Sequence, residues 1–307
     1  MPRYCVIVNP TSGRGSGGRM IPVIEQLMKN HGLDFDLIRT ERPWHAAELA
    51  YQAVVHQYDY VVAAGGDGTV NEVVNGLMRA RQEDLDIGGT LGLLTVGRGN
   101  DFAFSQGFSH DLNQEVDVLA AGRKKLIDIG RLQGGLFPQG RCFCNGVGIG
   151  FDAVVGFESV KLAPLSGFTS YLVAALKTIL LYFHAPKVQI ELDNETIVQP
   201  ALMVSIMNGR RMGGGFQMTP GSKSDDGLFD LCIVGEVPRL EMLKLILRFL
   251  NGTQAGHPAI QFRKSRRVKV SALTGSLPAH ADGETMALAA EWLEMEALPG
   301  VLELVVP

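Results

Sequence analysis

The stretch VVAAGGDGTVNEVVNGL, residues 61–77, places three glycines and one acid directly after an apolar run. The apolar run predicts a buried strand, and the amphipathic segment that follows it predicts a helix. A parallel strand that ends in glycines and leads into a helix directs backbone N–H groups to one edge of the sheet, where they bind anions such as phosphate. The stretch therefore predicts an α/β fold with a phosphate-binding turn at Gly65, Gly66 and Gly68.

The acid at the tip of this turn, Asp67, needs its own explanation, because a carboxylate repels phosphate. A Mg²⁺ ion between Asp67 and the phosphate oxygens would remove the repulsion. Asp67 would also be suited to accepting a proton from a nucleophile, or to capping the helix that follows. The residue pattern leaves these three roles open.

The first part of the chain alternates short apolar strands with amphipathic helices. Strands are predicted at residues 5–10, 35–40, 60–66 and 91–97, and helices at residues 21–30, 45–56 and 69–81. Fully apolar strands that alternate with helices are typical of a parallel sheet with both faces covered. We therefore predict an N-terminal α/β domain over residues 1–125.

Strand-like runs become dense after residue 127, and only two helix-like stretches, residues 168–183 and 239–250, interrupt them. Several strands bounded by Gly, Pro, Asn and Asp predict a mainly antiparallel β-sandwich or barrel. We assign this second domain to residues 126–294.

Two more glycine-containing loops follow apolar strands of the first domain. They are NPTSGRGSGGR (Asn9–Arg19), which carries Arg14, and TVGRGNDF (Thr95–Phe102). Neither has the spacing of a Walker P-loop or a dinucleotide fingerprint. The carboxyl ends of parallel strands share one edge of a sheet, so three such loops predict a nucleotide site there.

The composition of the chain indicates which classes of binding partner to expect. The 307 residues are 46% hydrophobic with a formal net charge of −4, which argues against a nucleic-acid binder. The longest apolar helical stretch, residues 171–183, is shorter than the roughly 20 residues that span a membrane. No signal peptide is recognised, so we expect a cytoplasmic protein whose membrane contact is peripheral. The basic run Arg263–Lys269 is either a solvated loop or an edge that faces an anionic membrane.

Several motifs, in order along the chain, resemble the diacylglycerol kinase catalytic-domain family of bacterial lipid kinases, which is related to the sphingosine kinases. They are NPTSGRG at residue 9, GGDGTVNEVVNGL at residue 65, GRGNDFA at residue 97, IDIGRL at residue 127, NGVGIGFDAVV at residue 145, PGSKSDDGLFDL at residue 220, ADGET at residue 281 and the closing LPGVLELVVP. The resemblance extends over the whole chain.

This resemblance implies an NAD-kinase-like α/β domain, a C-terminal β-sandwich, and a last segment, residues 295–307, that returns to the first domain. It implies an ATP-dependent kinase that phosphorylates a lipid hydroxyl in lipid metabolism, with ATP and Mg²⁺ as cofactors. The residues it assigns to the nucleotide, together with Arg14 of the first loop, are Asn9, Thr40, Gly65, Gly66, Asp67, Gly68, Thr69, Asn71, Glu72, Gly97, Arg98, Asn100 and Asp101.

The resemblance also assigns catalytic and metal-binding residues in the second domain. Glu284 of the D-G-E motif would be the proton acceptor, with Asp67 the competing candidate, and Asp282 would lie on the same face of an extended segment. By the residues alone, Asp-Gly also predicts a hairpin turn. Asp226 and the carbonyl of Leu228 would match ligands of a second Mg²⁺ ion.

The sequence departs from the family pattern at two positions. Arg98 stands where the family has threonine, and its guanidinium is suited to pairing with phosphate oxygens. Lys223 stands where some relatives supply a metal ligand. Since an ammonium group cannot bind Mg²⁺, we hypothesise that Lys223 replaces the charge of the ion.

The motifs do not name the acceptor. Diacylglycerol, phosphatidylglycerol, a sphingoid base and other lipid alcohols all remain open, as does a homodimer. Two other functions are weighed against a lipid kinase: a nucleotide kinase of the NAD kinase type, which shares GGDGT, and a catalytically silent lipid- or nucleotide-binding protein. The D-D-G-L-F-D and D-G-E motifs argue against the first, and the presence of Asp67 and Glu284 argues against the second.

Overall fold

A computed structural model describes residues 1–83, 89–162, 168–181 and 184–307. The chain divides into two compact units. Unit 1 consists of Met1–Ile127 and Gly300–Pro307, and unit 2 consists of Asp128–Pro299.

Unit 1 alternates strands and helices, as its sequence predicts. Its elements are β1 (Arg3–Val8), α1 (Ser12–Asn30), β2 (Asp34–Arg39), α2 (His45–Val55), β3 (Tyr60–Gly65), α3 (Asp67–Gln82), β4 (Thr90–Thr95), α4 (Asp101–Ser105) and α5 (Leu112–Ala121).

Unit 2 follows with the remaining elements, the first and last of which extend into unit 1. These are β5 (Lys124–Gly134), β6 (Phe137–Phe143), β7 (Gly146–Gly150), α6 (Phe151–Val160), α7 (Phe168–Leu181), β8 (Lys187–Leu192), β9 (Thr196–Met207), β10 (Phe229–Gly235), α8 (Arg239–Asn251), β11 (Ile260–Ser265), β12 (Arg267–Ala272), β13 (Leu277–Ala281), β14 (Glu284–Ala290) and β15 (Trp292–Val305).

The sheet of unit 1 is parallel. β1 pairs with β2 on one side and β3 on the other, and β3 pairs with β4. The end of β15 adds a further parallel strand beside β4, where Leu304 pairs with Leu91. Every residue of β3 is buried, as expected for a strand covered on both faces. The predicted α/β class of the N-terminal region is confirmed.

The first glycine-rich segment, which we predicted as a loop, is largely helical. We placed a helix at residues 21–30, but α1 already begins at Ser12 and passes through a kink at Gly13, Arg14 and Gly15, which have positive φ. Tight packing explains the glycines. A Cβ at Gly17 would lie 2.0 Å from the carbonyl oxygen of Asn9, so only glycine allows this part of the helix to approach the end of β1.

Unit 2 is a mainly antiparallel sandwich, which confirms the predicted class. One layer runs β14-β13-β7-β9-β10-β11, and the other includes β8, β12 and the first half of β15. β9 belongs to both layers: its first half pairs with β8 and its second half with β7 and β10. Buried side chains of both layers, including Phe143, Phe229 and Val268, form one core.

The sandwich carries more helix than we predicted. Besides α7 and α8, residues 151–160 form α6, although the run FDAVVGFESV is rich in strand-favouring residues. Packing overrides that local preference, because α6 lies against α7 and buries Val155 beside Ala174 and Ala175. The last two residues of the stretch predicted as helix 168–183, Tyr182 and Phe183, lie outside the described residues.

Within the part of the chain that the structure describes, no helix is both long enough and apolar enough to cross a membrane.

Candidate active site

Three loops of unit 1 meet at the carboxyl edge of its sheet. The amides of Val96 and Gly97 both donate to the carbonyl oxygen of Gly65, at 3.2 and 3.1 Å. A Cβ at Gly97 would lie 2.3 Å from the Cα of Gly66, and a Cβ at Gly13 would lie 2.6 Å from the oxygen of Val96. The glycines are therefore required by the contact between loops, and the predicted convergence of the three loops is present.

Asp67 links two of these loops. It is the first residue of α3, and its Oδ1 accepts a hydrogen bond from the amide of Phe102, 3.0 Å away in α4. Its Oδ2 lies 2.9 Å from the position that a Cβ at Gly99 would occupy. Of the roles left open by the sequence, capping is observed, and the helix that Asp67 caps is α4. The N-terminus of α3, like that of any helix, attracts anions.

Asn9 and Thr69 fasten the first loop to α3. The Nδ2 group of Asn9 donates to the hydroxyl of Thr69 at 3.1 Å, and its Oδ1 accepts from the amide and hydroxyl of Thr11. Thr40 follows β2, and its amide donates to the carbonyl of Val8. Asn9 and Thr40 thus both lie at the ends of strands, on the edge where the glycine loops meet.

Asn100 supplies the strongest sign of a ligand at this edge. It adopts a left-handed conformation with φ 50° and is buried. Its Oδ1 lies 2.6 Å from the position that a Cβ at Gly97 would occupy and, among the described residues, has no hydrogen-bond partner. A buried oxygen without a donor costs about 1–3 kcal/mol. A bound donor or cation would remove this cost, and the neighbouring Asp101 is also buried.

The other predicted nucleotide residues differ in their surroundings. Arg14, at the kink of α1, and Arg98, on the third loop, are exposed, while Gly68 lies half-buried in the first turn of α3. Asn71 is fully buried within α3, and the carboxylate of Glu72 accepts a hydrogen bond from the amide of Ala46 in α2. The structure therefore gives Glu72 a part in holding α2, and its contact with a nucleotide stays a prediction.

Glu115, which was not among the residues predicted from the sequence, organises the third loop. It is buried in α5, and its two oxygens accept hydrogen bonds from the amide and hydroxyl of Thr95, at 2.7 and 2.5 Å. Burial raises the pKa of this carboxyl above its usual value. An acid three residues into an amphipathic helix carries no signal in sequence, because such acids usually face solvent or complement the helix dipole.

In unit 2, the D-G-E motif forms a tight hairpin turn. Asp282 and Gly283, with φ 49° and 86°, connect β13 to β14, as Asp-Gly predicts. Asp282 turns inward, where its oxygens accept hydrogen bonds from the amides of Cys144, Asn145 and Gly146 at 2.8–3.0 Å.

These hydrogen bonds change the interpretation of the motif. Asp282 is buried, whereas Glu284 is exposed at the start of β14. Our expectation that both acids share a face of an extended segment is wrong, because the turn reverses the chain between them. Since three backbone amides occupy its oxygens, we interpret Asp282 as a positioning residue for the turn that presents Glu284.

The ammonium group of Lys264 lies at the position predicted for a second metal ion. Lys264 Nζ lies 2.8 Å from Asp226 Oδ2 and 3.2 Å from Asp230 Oδ2, and the amide of Leu228 donates to Asp226 Oδ1. Lys223, which we expected to supply the charge, is exposed. Among residues 1–83, 89–162, 168–181 and 184–307, no cluster of three or more His, Cys, Asp or Glu is arranged around a metal position.

Unit 2 also contains an apolar cavity of about 90 Å³, which we call the acyl cavity after the occupant that we propose for it below. Its walls come from α6, α7, α8, β9 and β10. Four methionines among the lining residues give these walls freedom to adapt. The residues that line it include Phe151, Val155, Tyr171, Ala175, Ile179, Met203, Met212, Met218, Met242, Leu245 and Phe249.

Two polar side chains, Asp152 and His280, also line the acyl cavity. A Cβ at Gly148 would lie 2.4 Å from Asp152 Oδ2 and 2.6 Å from His280 Nε2, so glycine lets both groups meet. Burial raises the pKa of Asp152 to about 7, although the hydroxyl of Ser205 donates to it. Burial lowers the pKa of His280 to about 4, and among the described residues its Nδ1 has no hydrogen-bond partner.

Comparisons with known proteins agree with this geometry. Residues 3–132 match the diacylglycerol kinase catalytic domain, and residues 145–306 match the YegS C-terminal NAD kinase beta sandwich-like domain. A diacylglycerol kinase of Bacillus subtilis is 31% identical over 92% of this chain and 90% of its own length. One from Staphylococcus saprophyticus is 29% identical over 92% of this chain and 88% of its own.

Solved structures support the fold. The crystal structure of a diacylglycerol kinase from Bacillus anthracis superposes with a TM-score of 0.74 and 21% identity, covering 99% of this chain and 97% of the other.

Proposed function

Because this chain belongs to the diacylglycerol kinase family, we propose that it transfers the γ-phosphoryl group of ATP to the hydroxyl group of a lipid. The observation that supports the proposal is the coexistence of two different sites. Unit 1 carries a backbone-lined, glycine-rich edge suited to phosphate, and unit 2 carries the acyl cavity, suited to hydrocarbon.

The nucleotide site of the proposal lies on unit 1. The N-terminus of α3 and the glycine loop that carries Arg98 would bind the phosphates, with the exposed guanidinium of Arg98 as a cationic partner. Glycine at position 97 lets this loop lie against Gly66, since a Cβ there would be 2.3 Å from the Cα of Gly66.

The donor set at this edge suits Mg²⁺ that arrives with ATP. Carboxylate and amide oxygens are hard ligands. Asp67, Asp101 and Asn100 supply them, and the Oδ1 of Asn100 has no hydrogen-bond partner in the part of the chain that the structure describes. A bound Mg²⁺ would neutralise charge on the phosphates of ATP. In our proposal the role of Asp67 is to orient these groups, because its Oδ1 is already held by the amide of Phe102.

The acceptor site of the proposal lies on unit 2. The hydrocarbon chain of the lipid would occupy the acyl cavity, and its polar portion would meet Asp152 and His280. Glu284 would accept the proton of the attacking hydroxyl group as its oxygen bonds to the γ-phosphorus of ATP, while the bond from that phosphorus to the β–γ bridging oxygen breaks and ADP leaves. Asp282, fixed by three backbone amides, would hold the turn that carries this carboxylate.

The test is a phosphoryl-transfer assay with ATP labelled in its γ-phosphate. Acceptors are diacylglycerol, phosphatidylglycerol and sphingosine in mixed micelles, with NAD as a water-soluble alternative. Wild type is expected to label an organic-extractable lipid. Glu284→Gln is expected to lower kcat about 10²–10⁴-fold without changing the Kd for ATP. The matched control is Glu291→Gln, an exposed acid beyond the other end of β14.

Each other outcome contradicts a stated part of the proposal. Label that enters NAD instead of lipid would favour a nucleotide kinase. Retention of full activity by Glu284→Gln, with Asp67→Asn inactive, would move the proton acceptor to Asp67. ATP binding without transfer to any acceptor would favour the silent binding protein.

A further inference from the structure

The two helices that cover the acyl cavity are apolar on both sides. The inner faces of α7 and α8 line the cavity with side chains such as Ile179 and Leu245. Their opposite sides carry a second apolar set, which we call the outer leucine face. It consists of Val173, Leu176 and Leu180 on α7 and Leu240, Leu243 and Leu247 on α8, which are 39–75% exposed.

The spacing of this face is regular. On each helix the three residues follow the pattern i, i+3, i+7, which places them along one side of a helix. A helix of a soluble unit normally presents polar residues opposite its buried side. Leucines on two neighbouring helices that share a cavity therefore indicate a surface that meets an apolar phase.

Charge decides between possible occupants of this surface. On α8, Lys244 and Arg248 flank the leucines on one side and Arg239 on the other. Lys244 pairs with Glu241, the one acid of the helix, at 2.9 Å, so the three cations and one acid still leave α8 with an excess of positive charge. A leucine stripe between cations is the pattern of a helix that lies in the interface of an anionic bilayer. A second copy of this chain would present the same cations, so a dimer through this face would bring like charges together.

The basic run at Arg263–Lys269, our earlier candidate for membrane contact, has other partners. Arg263 pairs with Glu195, and Lys264 pairs with Asp226 and Asp230. Arg267 pairs with Glu296. This run is therefore largely neutralised within unit 2 and lacks exposed leucines between its cations.

We propose that the outer leucine face of α7 and α8 docks on an anionic lipid bilayer. This inference rests on the proposed function in one respect, since it supplies the route by which a membrane lipid reaches the acyl cavity. Docking puts the outer sides of the two helices in the headgroup and upper acyl region, directly above the cavity that their inner sides line.

The test is flotation of the full chain with vesicles of phosphatidylcholine alone or mixed equally with phosphatidylglycerol. Wild type is expected to float with the mixed vesicles and much less with phosphatidylcholine alone. The double variant Leu240→Gln/Leu247→Gln is expected to lower the partition coefficient about 10-fold or more. The matched control is Leu288→Gln on β14, whose leucine is 69% exposed and which should float like wild type.

A second variant removes charge and leaves the leucines in place. Lys244→Gln/Arg248→Gln is expected to weaken binding to the mixed vesicles about 10-fold and to leave the small binding to phosphatidylcholine unchanged. Thermal unfolding verifies that all variants are folded. All four substituted side chains are exposed, so their loss should not disturb the core.

The results separate this inference from the proposed function. If the leucine variant floats like wild type, or loses a concentration-dependent dimer instead of vesicle binding, the docking surface is wrong. Transfer of phosphate to acceptor in detergent micelles would then still support the kinase. Vesicle binding that depends on the leucines, without transfer to any lipid, would uphold docking and overturn the kinase. Loss of binding by Leu288→Gln to the same extent would also overturn the specific face.

Discussion

The glycine edge of unit 1 and the acyl cavity of unit 2 are built by opposite means. The edge is formed by backbone, and Gly97 lies so close to Gly66 that a Cβ at Gly97 would overlap the backbone of the opposite loop. The cavity is formed by side chains, and most of its lining residues are apolar groups of the kind found in any core. A site made of backbone tolerates almost no change of residue, whereas a cavity made of flexible side chains tolerates many.

The largest expected effect comes from the backbone-built site. Gly97→Ala puts a methyl group 2.3 Å from the Cα of Gly66, and both partners are backbone, so the two loops must separate. We expect the Kd for ATP to rise about 100-fold and the free energy of unfolding to fall by about 1–3 kcal/mol. Calorimetric titration with ATP and urea unfolding measure the two effects.

The matched control for this prediction is Gly18→Ala in α1. There the new Cβ meets its nearest neighbour, the oxygen of Pro10, at 3.4 Å, which is an ordinary contact. Alanine also favours helix, so this variant should bind ATP normally and be as stable as wild type or slightly more stable. Unchanged ATP binding by Gly97→Ala would show that the nucleotide binds elsewhere.

A smaller effect is expected when the cavity is filled. Ala175→Leu adds three carbon atoms to the wall contributed by α7, and the cavity of about 90 Å³ shrinks accordingly. We expect KM for a long-chain acceptor to rise about 10-fold, with little change for a short-chain acceptor, since overpacking costs about 1–3 kcal/mol. The Kd for ATP should not change. Assays with acceptors of increasing chain length measure this, and equal loss for all lengths would contradict a role in holding the chain.

The same contrast explains what the sequence predicts well. GGDGT and GRGND carry glycines for which there is a single structural reason, so the convergence of the loops and the parallel sheet could be predicted. Helix α6 could not, because its strand-favouring residues become helical only by packing against α7. The early start of α1 could not be predicted for a related reason, since its glycines serve a kink with positive φ and, at Gly17, close packing against Asn9.

The site residues divide in the same way. Glu284 at an exposed turn and Asp67 at a glycine tip stand out in a sequence, because their neighbours are turn formers. Asp152, His280 and Glu115 do not, because burial is what sets their behaviour and burial depends on distant segments. The Asp282 carboxylate was misjudged because its three amide partners lie about 137 residues away in the sequence.

Opposite pH dependences of Asp152 and His280 provide the next prediction. The folded-state pKa of Asp152 is raised from 3.8 to about 7, so its contribution to the free energy of unfolding falls as the pH rises through that interval. The folded-state pKa of His280 is lowered from 6.5 to about 4, so its contribution rises with pH between those values. In wild type the two trends offset each other.

Single substitutions should reveal each trend. Between pH 4 and 6.5, the stability of Asp152→Asn relative to wild type should increase by up to about 1.4 kcal/mol per pH unit. Over the same pH interval, the stability of His280→Gln relative to wild type should decrease by a similar amount per pH unit. Urea unfolding at several pH values measures both slopes. Parallel slopes for the two variants would show that these groups do not titrate as a neutral pair beside the cavity.

The smallest expected effect concerns the ammonium group at the predicted metal site. Lys264 is 44% exposed, and exposed ion pairs contribute little, so Lys264→Met should lower the free energy of unfolding by less than about 1 kcal/mol.

The substitution leaves Asp226 and Asp230 without their shared cation, and burial already raises the pKa of Asp230. We therefore expect Mg²⁺ to restore the stability of the variant and to leave wild type unchanged, as measured by thermal unfolding with and without the ion. A Mg²⁺ response in wild type that Asp226→Ala abolishes would show that the ion binds despite the lysine. If only the Lys264→Met variant responds to Mg²⁺, either the lysine or the ion can supply the positive charge at this position. A substitution is then tolerated here, whereas the backbone-built glycine edge tolerates almost none.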